Sequence, residues 1–200
     1  MVEQMLNPVT EAKRQAGIDH MLKAARRFVM ANGLDATMDQ LAEATGVSRR
    51  TLFRHFTSRE KLLAAAFATG MDDYRHRLPD YDGDLDGWLR ETCQAAHRMN
   101  AVIGPGFFEL ASRSDLPTDL ADVEHRRRRE FRDAMSDIAR TAWAAAGHRG
   151  RPPKSFTGTV TAHLSPHFTA ALVIDAGETW QTAAELAYAA IIAALEVPAL

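Results

Sequence analysis

The amino-acid sequence predicts an all-α protein, with an N-terminal helix-turn-helix domain followed by a C-terminal helical domain. Three observations carry this expectation. Apolar residues recur three and four positions apart along most of the chain. No stretch sustains the period-two alternation of a half-buried strand. The breaks between periodic segments hold residues that start and stop helices.

Each element follows from these signals. Ile18, Leu22, Ala25, Phe28 and Val29 fall at helical spacing and Gly33 suits a C-cap, so the first helix covers roughly 10–32. "TMDQ" at 37–40 has the capping-box form, with Thr37 as cap and Gln40 reaching back. It opens a short helix through Met38, Leu41 and Ala42 to about Thr45, closed by Gly46. Ser48 caps the next helix, 49–56, which buries Leu52 and Phe56. "TSRE" at 57–60 reads as a second capping box, opening a longer helix that carries Leu62, Leu63, Phe67, Met71, Tyr74 and Leu78.

"LPDYDGDLDG" at 78–87 reads as a linker and divides the chain into domains at 1–78 and 79–200. Further helices are expected near 86–101, 106–113, 118–146, 157–175 and 179–195. Gly104-Pro105-Gly106, Pro117, Gly147 through Pro153, and Gly177 punctuate them.

Composition narrows the function classes. With 46% hydrophobic and 25% charged residues, the chain can bury a real core. One cysteine, Cys93, leaves no internal disulfide framework and suits a reducing cytosol, so a cytoplasmic location is expected. No apolar stretch follows the first methionine, so no secretory leader is expected. The apolar run "LAYAAIIAAL" at 186–195 is too short to span a bilayer, and no membrane partner is expected. The net charge of −2 hides an asymmetry: residues 1–78 hold 12 Lys+Arg and 9 Asp+Glu, whereas residues 79–200 hold 12 and 17. A basic front and an acidic back invite separate readings.

The chemistry concentrates in "TGVSRRTLFRHF", residues 45–56. Gly46 sits where the turn needs a positive φ, Val47 fills the angle between two helices, and Ser48 starts the second. Leu52 and Phe56, four apart, face inward. Arg49, Arg50, Thr51, Phe53, Arg54 and His55 occupy the other directions. Positive charge at a helix N-terminus opposes the helix dipole. It makes sense where that turn enters a major groove, because Arg pairs with guanine O6 and N7 in bidentate fashion. The alternative is a solvated basic face. Arg59 and Lys61 at the next helix start, and Thr37 at the preceding one, are placed to meet phosphates.

The segment "IDHMLKAARRFVMANGLDATMDQLAEATGVSRRTLFRHFTSREKLLAAAF", 18–67, resembles the DNA-binding domain of the tetracycline-repressor (TetR) family. The resemblance covers about 60 residues and fades beyond them. It implies an all-α homodimer on palindromic, double-stranded operator DNA, released when a small-molecule effector fills a C-terminal ligand-binding and dimerisation domain. By position, it implies Thr37, Arg49, Arg50, Thr51, Phe53, His55 and Arg59 as contacts; Ser48, Arg54 and Lys61 complete the DNA-facing set. The chain departs from the family at Phe53, where a tyrosine hydroxyl usually touches a phosphate; Phe53 can still stack on sugar or meet a thymine methyl.

The C-terminal half is less specific. "DGDLDG" at 82–87 imitates the first half of an EF-hand loop, but the position of its bidentate glutamate is Cys93, so an acidic linker that caps a helix is the better reading. Cys93 reads as a buried apolar thiol. "RRRR" at 126–129 wraps around a helix, with Glu124–Arg128, Arg126–Glu130 and Arg129–Asp133 as i,i+4 partners. Arg127 falls on the stripe of Leu120, Val123, Phe131, Ala134, Ile138 and Ala142. It either snorkels, pairs with a buried acid, or anchors an anionic ligand.

Trp88, His97, Met99, Phe107, Phe108 and Trp143 supply surface for a ligand pocket or for plain core. The expectation of a cavity comes from the family resemblance. With Arg127, all but Met99 are the candidate ligand residues. His163 and His167 have metal-binding spacing, but Pro166 lies between them and no third ligand is evident, so no metal is expected. Leu172, Trp180, Leu186, Ile191 and Leu195, among many alanines, suit either a dimer interface or intrachain core.

A ligand-responsive, dimeric regulator, most simply a repressor, is the first functional expectation. A small helical enzyme would need a nucleophile–base pair, a cofactor loop or a metal set; none is legible, and no catalytic residue or cofactor is expected. A structural DNA-binding protein without a ligand is the other alternative. Salt-dependent affinity with no sequence preference would mark it.

Overall fold

The computed structural model describes residues 8–69 and 77–196. Met71 and Tyr74, expected on the fourth helix, lie outside the described residues. Among the described residues every regular element is helical. In chain order these are α1 (Pro8–Asn32), α2 (Met38–Thr45), α3 (Arg49–Phe56), α4 (Arg59–Ala68), α5 (Leu85–Asn100) and α6 (Pro105–Ser112). They continue with α7 (Thr118–Ala145), α8 (Lys154–His163), α9 (Pro166–Ala170), a π-helical turn (Ala171–Asp175) and α10 (Trp180–Glu196).

The cap chemistry accounts for most boundaries. Gly33 (φ 95°) closes α1 with its N–H on the Val29 carbonyl at 2.8 Å. The Thr37 capping box forms as expected: Thr37 Oγ1 accepts from the Gln40 N–H, and Gln40 Oε1 accepts from the Thr37 N–H. Asp84 caps α5 by accepting from the Asp86 N–H, so the acidic stretch does start a helix.

Two expectations need correction. Thr57 is not the cap of α4. It closes α3 at φ 58°, its N–H on the Phe53 carbonyl, and Ser58 caps α4 by accepting from the Lys61 N–H at 3.1 Å. A single residue at positive φ turns the chain, so the box slips by one position. The helix expected over 157–175 is also broken. Pro166 has no N–H to continue α8, and Ser165 caps α9 through the Phe168 N–H.

The helices form two compact units. One comprises the described residues of Met1–Met71 together with Gly104–His125. Its core joins Leu22, Ala25 and Val29 of α1 to Leu41, Leu52, Leu62 and Leu63, and takes in Leu110, Leu120 and Val123. Each fully buried leucine contributes about 1.5–3 kcal/mol. The boundary expected at 78/79 therefore omits a part of this unit, α6 and the start of α7. The reason is backbone contact: a Cβ on Gly104 would lie 2.1 Å from the Met30 carbonyl oxygen, and one on Gly106 2.1 Å from that of Val29. What reads as punctuation in sequence is a helix-on-helix approach that only glycine permits.

The other unit comprises the described residues of Asp72–Ile103 and Arg126–Leu200. Here Trp88, Leu89, Cys93 and Ala96 of α5 pack with Met135, Ile138, Ala139 and Trp143 of α7, and with Phe156, Val160, Ala184, Ala187, Ile191 and Leu195. Small residues on α10 allow its close approach to α5. Arg90 joins the pair at the surface by bonding Asp86 and Glu185 and lying 3.8 Å from the Tyr188 ring centroid. The buried Cys93 thiol is pushed up to about 12, by burial first and Glu185 second, so it stays protonated.

Gly106→Ala is expected to lower the unfolding free energy by about 1–3 kcal/mol, seen as a lower denaturant midpoint at unchanged slope. Gly158→Ala on α8, where an added methyl meets nothing within 4 Å, is expected to be neutral or stabilising by about 0.5 kcal/mol.

Candidate nucleic-acid interface

The turn between α2 and α3 is determined at three successive positions. Gly46 (φ 71°) leaves α2 in the left-handed region with its N–H 3.2 Å from the Glu43 carbonyl. Val47, half-buried, bonds the Ala42 carbonyl at 3.2 Å and packs against the core. Ser48 then caps α3, accepting from the Thr51 N–H at 3.2 Å, and its hydroxyl lies 2.9 Å from that of Thr51. Leu52 is completely buried and Phe56 is packed against the same core. Everything else on α3 is thereby turned outward.

That outward face carries Arg49, Arg50, Phe53 and Arg54, all exposed, with Thr51 and His55 half-buried. Arg49 is held: its Nη1 is 3.2 Å from Asp39 Oδ2, and its guanidinium lies 5.5 Å from the Phe53 ring centroid. Phe53 is 38% exposed, an apolar ring displayed among cations rather than sequestered. Lys61 is exposed at the start of α4. Thr37 is exposed, but its hydroxyl is engaged as the α2 cap, which leaves the helix N–H donors beside it as the groups able to meet an anion. An open cleft of about 310 Å³ runs past it, lined by Asp35, Ala36, Met38, Asp39, Arg49 and Arg59.

Arg59 differs from the expectation that it reaches a phosphate. Its Nη1 donates to the Leu34 carbonyl at 2.7 Å and the Ala36 carbonyl at 3.1 Å, and its Nε pairs with Glu60 at 3.1 Å. It ties α4 to the segment before α2. Sequence reasoning missed three further members of this neighbourhood, Asp39, Glu109 and Arg113. Asp39 was legible only as a first-turn residue of α2. No local signal could place Glu109 against a segment 75 positions away.

Residues 21–66 match the model of the family described as bacterial regulatory proteins, tetR family. This part of the chain is similar to the TetR family. A Mycobacterium tuberculosis protein named as a mycofactocin biosynthesis transcriptional regulator, MftR, is 29% identical over 85 residues, 42% of this chain and 42% of that protein. The alignment thus spans less than half of either. Among solved structures, one from Rhodococcus sp. assigned to the TetR-family regulators has a TM-score of 0.69 at 19% identity, covering 90% of this chain and 100% of that one. FadR from Bacillus subtilis, solved in complex with stearoyl-CoA, has a TM-score of 0.66 at 12% identity, covering 89% of this chain and 97% of that one. The chain shares the fold of these two solved structures over about nine tenths of its length.

Outside the matched residues, the candidate ligand residues fall in separate neighbourhoods. Phe107 and Phe108, edge to face at 5.4 Å, belong to the first unit. In the second unit, Trp88 donates to the Pro79 carbonyl at 3.0 Å against the edge of Tyr81. Trp143 stacks on His148 at 3.9 Å. Arg127 is half-buried, whereas Arg126, Arg128 and Arg129 are exposed and Glu124 is buried. A cleft of about 390 Å³ opens between Arg77, Glu91, Gln94, Arg98 and Trp180.

His97 is wholly buried. Its Nδ1 lies 2.8 Å from Thr169 Oγ1, and Asn100 Nδ2 donates to that oxygen and to the Leu164 carbonyl, each at 3.2 Å. His97 Nε2 and Asn100 Oδ1 have no partner among the described residues. His163 Nδ1 lies 2.9 Å from the Thr159 carbonyl, and the break between α8 and α9 separates it from His167.

Of the expected dimer residues, Ile191 and Leu195 lie in the chain's own core, at 0% and 6% exposure, and so offer no surface to a partner. This corrects the expectation for those two. Leu186 is 47% exposed, Leu172 and Trp180 are half-buried, and Ile174 of the π-helical turn, not singled out in sequence, is 69% exposed.

Burial above all lowers His97 from 6.5 to about 4, with the His163 backbone opposing that shift and the His163 charge adding to it. A depressed histidine leaves the unfolded chain binding the extra proton, so its stabilising contribution is complete above about pH 6.5 and is lost as pH falls toward 4. Wild-type protein is expected to lose about 2 kcal/mol more than His97→Leu between pH 7 and pH 5, read by urea denaturation of both at each pH.

Proposed function

We propose that the protein is a sequence-specific DNA-binding transcriptional regulator, a homodimeric repressor that a small molecule releases from a palindromic operator. The observation that carries this reading is the α3 face: three arginines and a phenylalanine displayed by a helix whose opposite side is fastened through Leu52. Arg50 and Arg54, exposed and without an ion pair among the described residues, are the base-reading candidates. Arg49 would exchange Asp39 for DNA, and Lys61 and the first N–H groups of α2 would meet phosphates. Phe53 would contribute apolar contact with sugar or a thymine methyl.

A palindrome needs two copies of α3, about 34–36 Å apart or at a larger spacing. Leu186 and Ile174, with the half-buried Leu172, supply apolar surface on the unit carrying α10, and this supports a face for a second copy. The Bacillus subtilis FadR complex with stearoyl-CoA is a precedent for a small-molecule ligand in this fold. A ligand would act by binding better to a conformation whose α3 spacing does not fit the grooves. Among the described residues no helix is long and apolar enough to cross a membrane, and a cytoplasmic site of action fits a regulator of DNA.

Operator duplex can be recovered with the wild-type protein from a randomised pool. Arg50→Ala is expected to weaken binding to that duplex at least tenfold, about 1–3 kcal/mol, with an unchanged oligomeric state; unchanged affinity in a titration at fixed salt would refute the assignment. Leu186→Glu is expected to yield monomer in sedimentation and to weaken operator binding by tenfold or more, since each half-site is then bound alone.

A further inference from the structure

The segment joining α1 to α2, residues 33–37, is gripped from outside the helix-turn-helix on several of its groups at once. The Leu34 N–H donates to Glu109 Oε2 on α6 at 2.6 Å. Asp35 Oδ1 accepts from Arg113 Nη1, just past α6, at 2.9 Å, while the same guanidinium is braced by both Asp115 oxygens at 3.0 and 3.1 Å. The carbonyls of Leu34 and Ala36 accept from Arg59. Gly33 fits the arrangement, because a Cβ there would lie 2.6 Å from Glu109 Oε1. The clamp is seated: Gly104 and Gly106 bring the start of α6 onto the α1 backbone, and Leu110 is buried in the same core.

Immediately after this segment, Thr37 caps α2, and α2 leads through Gly46 into α3. Neither Glu109 nor Arg113 can be near DNA chemistry by sequence, yet together they set where α2 begins. We infer that Glu109 and Arg113 are positioning residues for DNA reading. They hold residues 33–37 so that the α2 N-terminus and α3 keep the placement that sequence-specific binding requires. Loss of the Glu109 carboxylate frees the Leu34 N–H, because a hydrogen bond weakens steeply beyond its normal length.

This inference rests on the regulator reading, and the test separates the two. Wild type, Glu109→Ala, Arg113→Ala, Asp35→Ala and Glu109→Gln are titrated against the duplex recovered by the wild-type protein and against a scrambled duplex of equal length at the same salt. Amide hydrogen exchange at Leu34 is followed in parallel. Glu109→Ala, Arg113→Ala and Asp35→Ala are each expected to lose about tenfold in operator affinity, with unchanged affinity for the scrambled duplex, because the basic residues remain in place. Arg113→Ala combined with Asp35→Ala is expected to be no weaker than either alone. Glu109→Gln, which keeps an acceptor for the Leu34 N–H, is expected to retain operator affinity, and Glu109→Ala to speed Leu34 exchange selectively.

Unchanged operator affinity in Glu109→Ala and Arg113→Ala, beside a wild type that discriminates the two duplexes, overturns the positioning role alone. Equal losses on both duplexes together with a lowered thermal midpoint overturn it too, since they mark a merely structural role. Should Glu109→Ala not fold, Asp35→Ala on its exposed side decides the question. A wild type that recovers no preferred duplex overturns the regulator reading and this inference with it.

Discussion

Everything the basic face of α3 can do depends on the burial of Leu52. An eight-residue helix is too short to hold itself together in water, and its two leading arginines oppose its dipole. It persists because Leu52, with no exposed surface, and Phe56 are fixed in the core formed by α1 and α4. Ser48 satisfies the start and Thr57 ends the helix within one residue. With one side fastened, rotation about the helix axis is forbidden, and the exposed arginines acquire a definite direction. A base-reading surface requires that rigidity, since hydrogen bonds to base edges tolerate little misalignment.

The same logic extends outward. α2 is held through its own cap and through the segment before it, and that segment is held by side chains from α4 and α6. The ion pair between Arg49 and Asp39 is exposed and worth little to stability, so exchanging it for a nucleic-acid contact costs little. Arg59, by contrast, is partly buried and bonded to carbonyls, where a charge-assisted hydrogen bond is roughly twice as strong as a neutral one. Two arginines ten residues apart thus differ in kind, one in an exposed, easily exchanged pair and one bound into the fold.

The second unit is organised differently. Its core includes a buried polar group of His97, Asn100 and Thr169, with His97 kept neutral by burial. Two of its atoms are unmatched among the described residues, and such groups are costly in a packed interior. Within the regulator reading, this buried group offers an effector hydrogen-bonding partners inside that unit. The neutral histidine and the amide favour a hydrogen-bonding molecule over a strongly charged one there.

The helical class, the turn at Gly46 and Ser48, the inward Leu52 and the outward arginines were all legible in the sequence, because they are decided within one or two turns of chain by cap chemistry and periodicity. So was the capping box at Thr37. The tertiary structure decided what depends on partners distant in sequence. It moved the cap of α4 to Ser58, placed residues 104–125 with the N-terminal helices, turned Arg59 toward carbonyls, and put Ile191 and Leu195 in the core rather than at the surface. Local rules state which face of a helix is apolar; only packing states what covers it, and no pattern in residues 104–113 announces that their glycines meet the end of α1 and their glutamate the segment after it, some 75 positions earlier.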